Sequence, residues 1–337
     1  MQKPIRVVQY GVGWIGAAVV RLMLEKPGLQ IVGAVDRDPQ KVGRDLGQVV
    51  GANRDIGIPI ARDLASAAAS GADVVVHTTS SSLKDVCSEL MECARLGAHV
   101  VSTCEELAYP FRKQPELSAH LDRCARENKV ALLGVGVNPG FAMDKLVLTL
   151  ASVCHRVTRV EVHRVVDASR RRLPLQKKVG AGLAVEQFNA KVATGVIKHH
   201  GLPESLAMIA DALAVPVERI EETIEPVVAV RPTRFESIEV PAGHVLGVHQ
   251  VARGLVDGDA SVCLELHMYM GAPEPADTIT IHGIPDLRMQ VPGGIHGDLA
   301  TTAVAVNCIP AVLEAKPGLR TARDIPMCYF PGLAASK

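Results

Sequence analysis

A chain of 337 residues is long enough for about two domains, each with its own core. Lysine and arginine together number 36, as do aspartate and glutamate, and aromatic residues make up 3% of the chain. There is thus no net field to recruit nucleic acid or an anionic membrane surface, and few rings on which bases would stack. Residues 1–4 lead into a strand without a signal segment, and the most apolar region, 130–150, is broken by Gly134, Gly136, Pro139 and Asp144. A cytoplasmic protein with no membrane span is expected. The eight cysteines include no C-x-x-C pair and no zinc-ligand spacing with histidine, so they read as small buried hydrophobes in a reducing compartment.

The first apolar strand, 5–10, runs into Gly11-Val12-Gly13-Trp14-Ile15-Gly16 and then an apolar helix. In such a turn the first glycine permits the sharp exit, the second lets backbone approach a pyrophosphate, and the third lets helix and strand pack closely. The helix start offers free N–H groups and a positive dipole end, with Trp14 and Ile15 beside them. A second strand, 30–35, ends in Asp36, close to the offset of about 20 residues at which a carboxylate grips the adenosine ribose. Asp36 favours NAD. Arg37 and Lys41 either hold a 2′-phosphate or stand on a solvated loop face, so NAD and NADP are both expected to serve.

A short third strand near 56–60 and an alanine-rich helix follow. Residues 72–77 form a buried strand that opens into Thr78-Thr79-Ser80-Ser81-Ser82 ahead of a helix over 83–96. Thr79, Ser80 and Ser81 are candidates to contact the cofactor, to cap that helix, or both. The next strand, 98–103, ends in Thr103-Cys104-Glu105-Glu106. Side chains alternate along a strand, so one carboxylate of the pair faces the site; Glu105 is the choice, with Glu106 a salt-bridging or surface residue. A helix over 115–128 leads to the strand 130–137, read as the last of the parallel sheet, and to Asn138-Pro139-Gly140-Phe141-Ala142-Met143-Asp144 ahead of an apolar helix, 145–153. Thr103 and Asn138, beyond two strand ends, complete the candidate cofactor set.

From Arg156 the texture changes to alternating strands over 159–166, 237–240, 262–269, 278–281 and 287–291, with a helix over 203–213. The basic, glycine-rich stretch 170–182 reads as a loop that is solvated or folds over a ligand. Asp298 reads as the N-cap of a final helix, 299–315, docked on the first domain. The expected architecture is α/β: a Rossmann-type doubly wound parallel sheet with a second α+β domain built on a mixed or antiparallel sheet. Its parts are a dinucleotide-binding domain (1–140), a substrate and dimerisation domain (141–297) and a returning C-terminal helix and tail (298–337).

Several stretches share one pattern: Val8-Gln9-Tyr10-Gly11, Lys41-Val42-Gly43, Ser102-Thr103-Cys104-Glu105-Glu106-Leu107, Gly136-Val137-Asn138-Pro139-Gly140-Phe141, Gly201-Leu202-Pro203-Glu204-Ser205 and His296-Gly297-Asp298. With them the whole chain resembles the family of 2,4-diaminopentanoate dehydrogenase and the native amine dehydrogenases, within the dihydrodipicolinate-reductase-like group. The resemblance implies NAD(P)-dependent oxidative deamination of a primary amine, reversible as reductive amination of a ketone or aldehyde with ammonia. It places the catalytic glutamate at Glu105, requires no metal, and implies a homodimer. A carboxylate there would attract ammonium, take its proton and stabilise a cationic iminium. Phe141, Met143, His163 and Thr301 are the candidate substrate residues. The dipicolinate-type lysine and Ser-Gly-Thr loop are missing around residues 163–170, which argues against a cyclic dicarboxylate. The alternatives are an imine or carbonyl reductase on the same scaffold and a dinucleotide sensor without turnover.

Overall fold

The computed structural model describes residues 3–171 and 173–329, and the chain divides into two compact units. One comprises the chain up to Phe141 and from His296 onward; the other is Ala142–Ile295.

The first unit opens with β1 (Ile5–Tyr10), α1 (Trp14–Leu24), β2 (Leu29–Val35), α2 (Leu46–Val49), β3 (Ile60–Ala61) and α3 (Leu64–Ala67). It continues with β4 (Val74–His77), α4 (Leu83–Arg95), β5 (His99–Ser102), α5 (Pro115–Glu127) and β6 (Ala131–Gly134). These short runs of valine and leucine are apolar on both sides because the sheet is covered on both faces. Val8, Val75, Val100 and Leu132 join the layer formed with Leu83 and Leu90 of α4 and Leu121 of α5. Their neighbours Val7, Val74, Val101 and Leu133 point the other way, onto Val19, Val20 and Met23 of α1.

The second unit contains α6 (Lys145–Ala151), β7 (Arg156–Asp167), α7 (Leu173–Lys178), α8 (Val185–Ala193), α9 (Leu202–Ala212) and β8 (Arg219–Val228). Then come β9 (Thr233–Arg234), β10 (Glu239–Val240), β11 (Val245–Val256), β12 (Asp259–Tyr269), β13 (Ala276–Ile284) and β14 (Leu287–Pro292). Its six-stranded sheet has the order β14-β13-β7-β12-β11-β8. Only β7 and β12 pair in parallel, so the sheet is mixed. Helix α9 packs on β11 and β12, and Gly254 leaves room for Leu206, whose side chain would come within 2.8 Å of any Cβ there. Inside this unit Arg164 and Asp277, each 3% exposed, form a bidentate pair with both bonds at 2.7 Å. Arg164 also donates to the Ile295 carbonyl, and Asp277 accepts the Ile295 N–H, so each buried charge has the extra partners that such a pair requires.

The chain then rejoins the first unit through α10 (Gly297–Asn307), α11 (Ile309–Leu313) and β15 (Gly318–Arg320). Helix α10 packs against α1. The first sheet has seven strands, all parallel, in the order β15-β6-β5-β4-β1-β2-β3. This is a doubly wound sheet whose strand order reverses between β1 and β4.

Several expectations are corrected. The strand β6 is not the edge, because β15 pairs outside it. The third strand is only Ile60–Ala61, and the alanine-rich helix after it is one turn. The final helix breaks in two at Cys308, ahead of Pro310, which offers no amide hydrogen to continue the ladder. Its N-cap is His296, whose ring accepts the Leu299 N–H, and Asp298 stands in the first turn instead. The basic stretch 170–182 contains helix α7 and is not simply a loop. Strands β8 and β11 and helix α8 were not read at all.

Candidate active site

Each glycine of the first turn has its own steric reason. Gly11 has φ +88°, and a Cβ there would approach the Thr78 carbonyl oxygen to 2.8 Å. At Gly16 a Cβ would come within 1.9 Å of the Gly11 carbonyl oxygen, so only glycine lets α1 start this close to β1. At Gly13 a Cβ would meet nothing within 4 Å; the space over that residue is open. Gly13 is the N-cap of α1, no side chain caps the helix, and its first turn holds no acidic residue. The helix start thus turns its N–H groups and positive dipole end toward that space with no capping side chain, which suits an anion. Trp14, 59% exposed, and half-buried Ile15 follow directly.

The turn is braced from below by two residues that sequence reasoning missed. Buried Gln9 donates to the Gly11 carbonyl at 2.8 Å and to Thr78 Oγ1 at 2.9 Å, and the Thr78 hydroxyl donates to the same carbonyl at 2.8 Å. A glutamine inside the buried run Val7–Tyr10 was the available signal.

Asp36 lies at the end of β2. Its Oδ2 accepts the Val12 N–H at 2.9 Å and the Lys41 ammonium at 3.0 Å, and its Oδ1 accepts the Asp38 N–H at 2.9 Å. Burial alone would push this carboxyl up, but the Asp38 amide, the Lys41 ammonium and the Val12 amide outweigh it and hold the group below its ordinary range. Arg37, with its side chain 68% exposed, reaches Glu89 at 3.1 Å and the Tyr10 hydroxyl at 3.3 Å. Burial and the nearby Glu89 carboxylate push the Tyr10 phenol up to about 12. A carboxylate paired with a lysine, beside an exposed guanidinium, suits a 2′-hydroxyl or a 2′-phosphate.

Glu89 anchors a second network that the sequence did not reveal. Its Oε2 lies 2.9 Å from His77 Nε2 and accepts the Thr79 hydroxyl at 2.8 Å; His77 Nδ1 meets Ser102 Oγ at 3.0 Å, and that oxygen accepts the Cys104 N–H at 3.1 Å. The hydroxyl of Thr79 is thus committed to Glu89. Ser80 donates to Asp85 at 3.3 Å, while the Ser81 carbonyl accepts the Glu106 N–H and the Cys104 thiol. None of Thr79, Ser80 and Ser81 caps α4: the N-cap is Ser82, without a side-chain bond.

The cap is supplied instead by Glu106. Its Oε2 accepts the Leu83 N–H at 2.9 Å and the Gln114 amide at 2.8 Å, and its Oε1 pairs with Lys113 at 2.9 Å. Glu105, its neighbour in a 3₁₀ turn over Glu105–Leu107, is half-buried and makes no side-chain hydrogen bond or ion pair among the described residues. The two carboxylates diverge, but by a helical turn and not by strand alternation, since β5 ends at Ser102. The thiol of Cys104 is buried and pushed well up by desolvation, which argues against a reactive thiolate.

Beyond β5 and β6 lie Thr103, whose N–H donates to the His77 carbonyl at 3.0 Å, and Asn138. Asn138 is buried, and neither its amide nitrogen nor its amide oxygen has a partner. An orphaned carboxamide is costly unless something supplies both a donor and an acceptor. The primary amide of a nicotinamide ring has that chemistry. The first-unit residues therefore fit a dinucleotide: open space at Gly13, a helix N-terminus without a side-chain cap, Asp36, and an unsatisfied amide beyond β6. All follow the carboxyl ends of parallel strands, where such sheets bind ligands.

The substrate candidates fall in both units, Phe141 and Thr301 in the first and Met143 and His163 in the second. Thr301, on α10, accepts the Val137 N–H at 3.3 Å, one residue from Asn138, and Phe141 is half-buried in the same unit. Met143 has no exposed surface and belongs to the core. His163 stands on β7 with Nδ1 2.9 Å from Glu265 Oε2. It is held there by a carboxylate of its own sheet.

A doubly wound sheet with an open glycine turn, a carboxylate past the end of the second strand and an unengaged glutamate past another strand end defines a dinucleotide-dependent oxidoreductase. Comparison with known proteins makes this specific. The family model for the 2,4-diaminopentanoate dehydrogenase C-terminal domain matches residues 141–330, and that for the dihydrodipicolinate reductase N-terminus matches residues 5–104. The chain is 32% identical to the 2,4-diaminopentanoate dehydrogenase of Acetoanaerobium sticklandii, covering 96% of this chain and 94% of that one. It is 25% identical to the amine dehydrogenase of Streptomyces virginiae, with 96% of each covered. The structure of amine dehydrogenase from Mycobacterium smegmatis superposes with a TM-score of 0.85 at 29% identity, covering 97% of both chains. The WlbA dehydrogenase of Bordetella pertussis, solved with NADH and UDP-GlcNAcA, shares the fold alone, at 18% identity and a TM-score of 0.51 over 86% of this chain and 75% of that one. The chain belongs to the 2,4-diaminopentanoate dehydrogenase family. It is an NAD(P)-dependent amine dehydrogenase.

Proposed function

We propose that Glu105 is the catalytic carboxylate of a reversible oxidative deamination, in which a primary amine, water and oxidised dinucleotide give a ketone or aldehyde, ammonia, a proton and reduced dinucleotide. One observation carries this reading: of two adjacent carboxylates past the end of β5, Glu106 is consumed by three donors and Glu105 has none. The dinucleotide supplies hydride transfer to and from the substrate carbon. Glu105 attracts the ammonium group, takes its proton and stabilises the positive charge of the substrate iminium.

Gly11, Gly13 and Gly16 with the amides of Trp14 and Ile15 hold the pyrophosphate. Asp36 and Arg37 meet the adenosine ribose and either dinucleotide serves. Ser80, Ser81 and Thr103 border the cofactor, Thr79 shapes it through Glu89, and Asn138 takes the carboxamide. Phe141 and Thr301 border the substrate, which we place among small diamines and amino ketones. The domains proposed are 1–140 for the dinucleotide, 141–297 for substrate and dimerisation, and 298–337 returning to the first. The protein acts as a cytoplasmic homodimer, with the open face of the second sheet as its contact.

The test follows NADH and NADPH oxidation with a panel of small ketones and aldehydes, with and without ammonium. Turnover that depends on ammonium is expected. Turnover without it would make the protein a carbonyl reductase, and tight dinucleotide binding with no turnover would make it a sensor.

A further inference from the structure

The sheet of the second unit has one face covered by α9 and one that carries polar side chains. On the latter, His249 of β11 and His267 of β12 are register partners, and their rings stack with centroids 4.1 Å apart and planes 9° from parallel. Two residues before His267, and so on the same face, Glu265 points its Oε1 at both rings: each Nε2 lies 2.7 Å from that one oxygen. The side chains of Glu265, His249 and His267 are 21%, 28% and 30% exposed. The three ligand atoms all lie within 4.8 Å of one another. His163, the register partner of Glu265 on β7, holds the other carboxylate oxygen at 2.9 Å.

We propose that His249, His267 and Glu265 form a site for one divalent transition-metal ion of the zinc class. Two imidazole nitrogens with one carboxylate oxygen are the donors that borderline ions prefer, whereas magnesium and calcium take oxygen donors. Both imidazoles are placed by cross-strand register, and each turns the nitrogen remote from the backbone toward the same Glu265 oxygen. Tetrahedral zinc, with bonds of about 2.0–2.2 Å, needs donor atoms about 3.3 Å apart, and an imidazole lone pair lies in its ring plane, so the two stacked rings splay apart to bring both lone pairs onto the ion. His163 acts from outside, orienting Glu265 through its second oxygen. No spacing in the sequence reveals the site, because its donors come from two strands that meet only in the sheet.

The experiment uses full-length protein without a histidine tag, dialysed against chelator and then titrated with zinc sulfate by calorimetry and with cobalt(II) by visible absorbance. One ion per chain is expected, with cobalt bands typical of four-coordinate geometry. His249→Ala and His267→Ala should each weaken binding by roughly 100-fold, since loss even of outer partners costs about 10–100-fold, and Glu265→Gln by about tenfold or more. His282→Ala removes another partly exposed histidine of the same sheet and should leave binding unchanged. Thermal melts of all four variants establish that each is folded. Absence of saturable binding by the native chain overturns the proposal. So does binding that survives His249→Ala combined with His267→Ala, or that is lost equally in His282→Ala.

Discussion

Glu106 caps the helix that begins at Leu83, 23 residues earlier in the chain, with its Oε2 2.9 Å from the Leu83 amide nitrogen. This bond separates the roles of two glutamates that are adjacent in sequence. It ties Glu106 into the fold and leaves its neighbour available for chemistry.

Replacing Glu105 by glutamine removes the base but keeps the shape. The turnover number should fall by about 10²–10⁴, the usual contribution of a positioned acid–base group, while dinucleotide affinity measured by fluorescence titration stays as it was. Unchanged deamination would exclude Glu105 from the mechanism.

Glu106→Ala should behave in the opposite way. It deletes a helix cap, a partly buried ion pair and an amide bond, at a cost of about 2–4 kcal/mol, or roughly 5–15 °C in melting temperature. The folded fraction should retain activity. A loss of turnover without a loss of stability would reverse the assignment of the two carboxylates.

The glycine turn offers a paired test. Gly16→Ala places a methyl group 1.9 Å from a backbone oxygen that cannot move aside, and should cost about 3 kcal/mol or more. Gly13→Ala meets open space and should cost under about 1 kcal/mol, yet weaken dinucleotide binding by roughly tenfold, about 1.4 kcal/mol. Calorimetric melts and cofactor titrations of the two variants distinguish packing from ligand approach.

His199 makes stability dependent on pH. Its Nδ1 is sealed from water without a partner, and burial, with the positive charges of Lys178 and Arg164, pushes the imidazole down to about 3. The unfolded histidine, with its ordinary value of about 6.5, takes up a proton first. Its contribution to stability is therefore complete above that value and is lost as pH falls toward the folded value, at about 1.4 kcal/mol per pH unit. Denaturant titrations between pH 7 and 4 should show a slope shallower by one proton in His199→Gln. An identical slope would show that the folded imidazole already titrates normally.

Much of the first unit was legible because its signals are local. The run from Val7 to Gly16, the pair at Asp36 and the valines of β4 and β5 each announce themselves within about a dozen residues. The second unit was harder. Strand β8 alternates charged and apolar residues in a mixed pattern, and β11 carries Gly247, Gln250 and Gly254 inside its run, so neither stands out as a strand until its partners are in place. The C-terminal strand β15 has three residues and exists only because β6 offers an unpaired edge.

The sequence by itself determined the dinucleotide-binding half and the family, and singled out Glu105 as the candidate carboxylate, because these rest on motifs whose residue types are dictated by backbone geometry and by charge at fixed spacing. Only the tertiary structure decided why Glu105 and not Glu106 is free, why Thr79 turns to Glu89, and that His163, His249 and His267 gather around Glu265. Each of these depends on which side chains from distant strands and helices compete for the same donors and acceptors. That competition is settled by packing in three dimensions and leaves no trace in residue spacing.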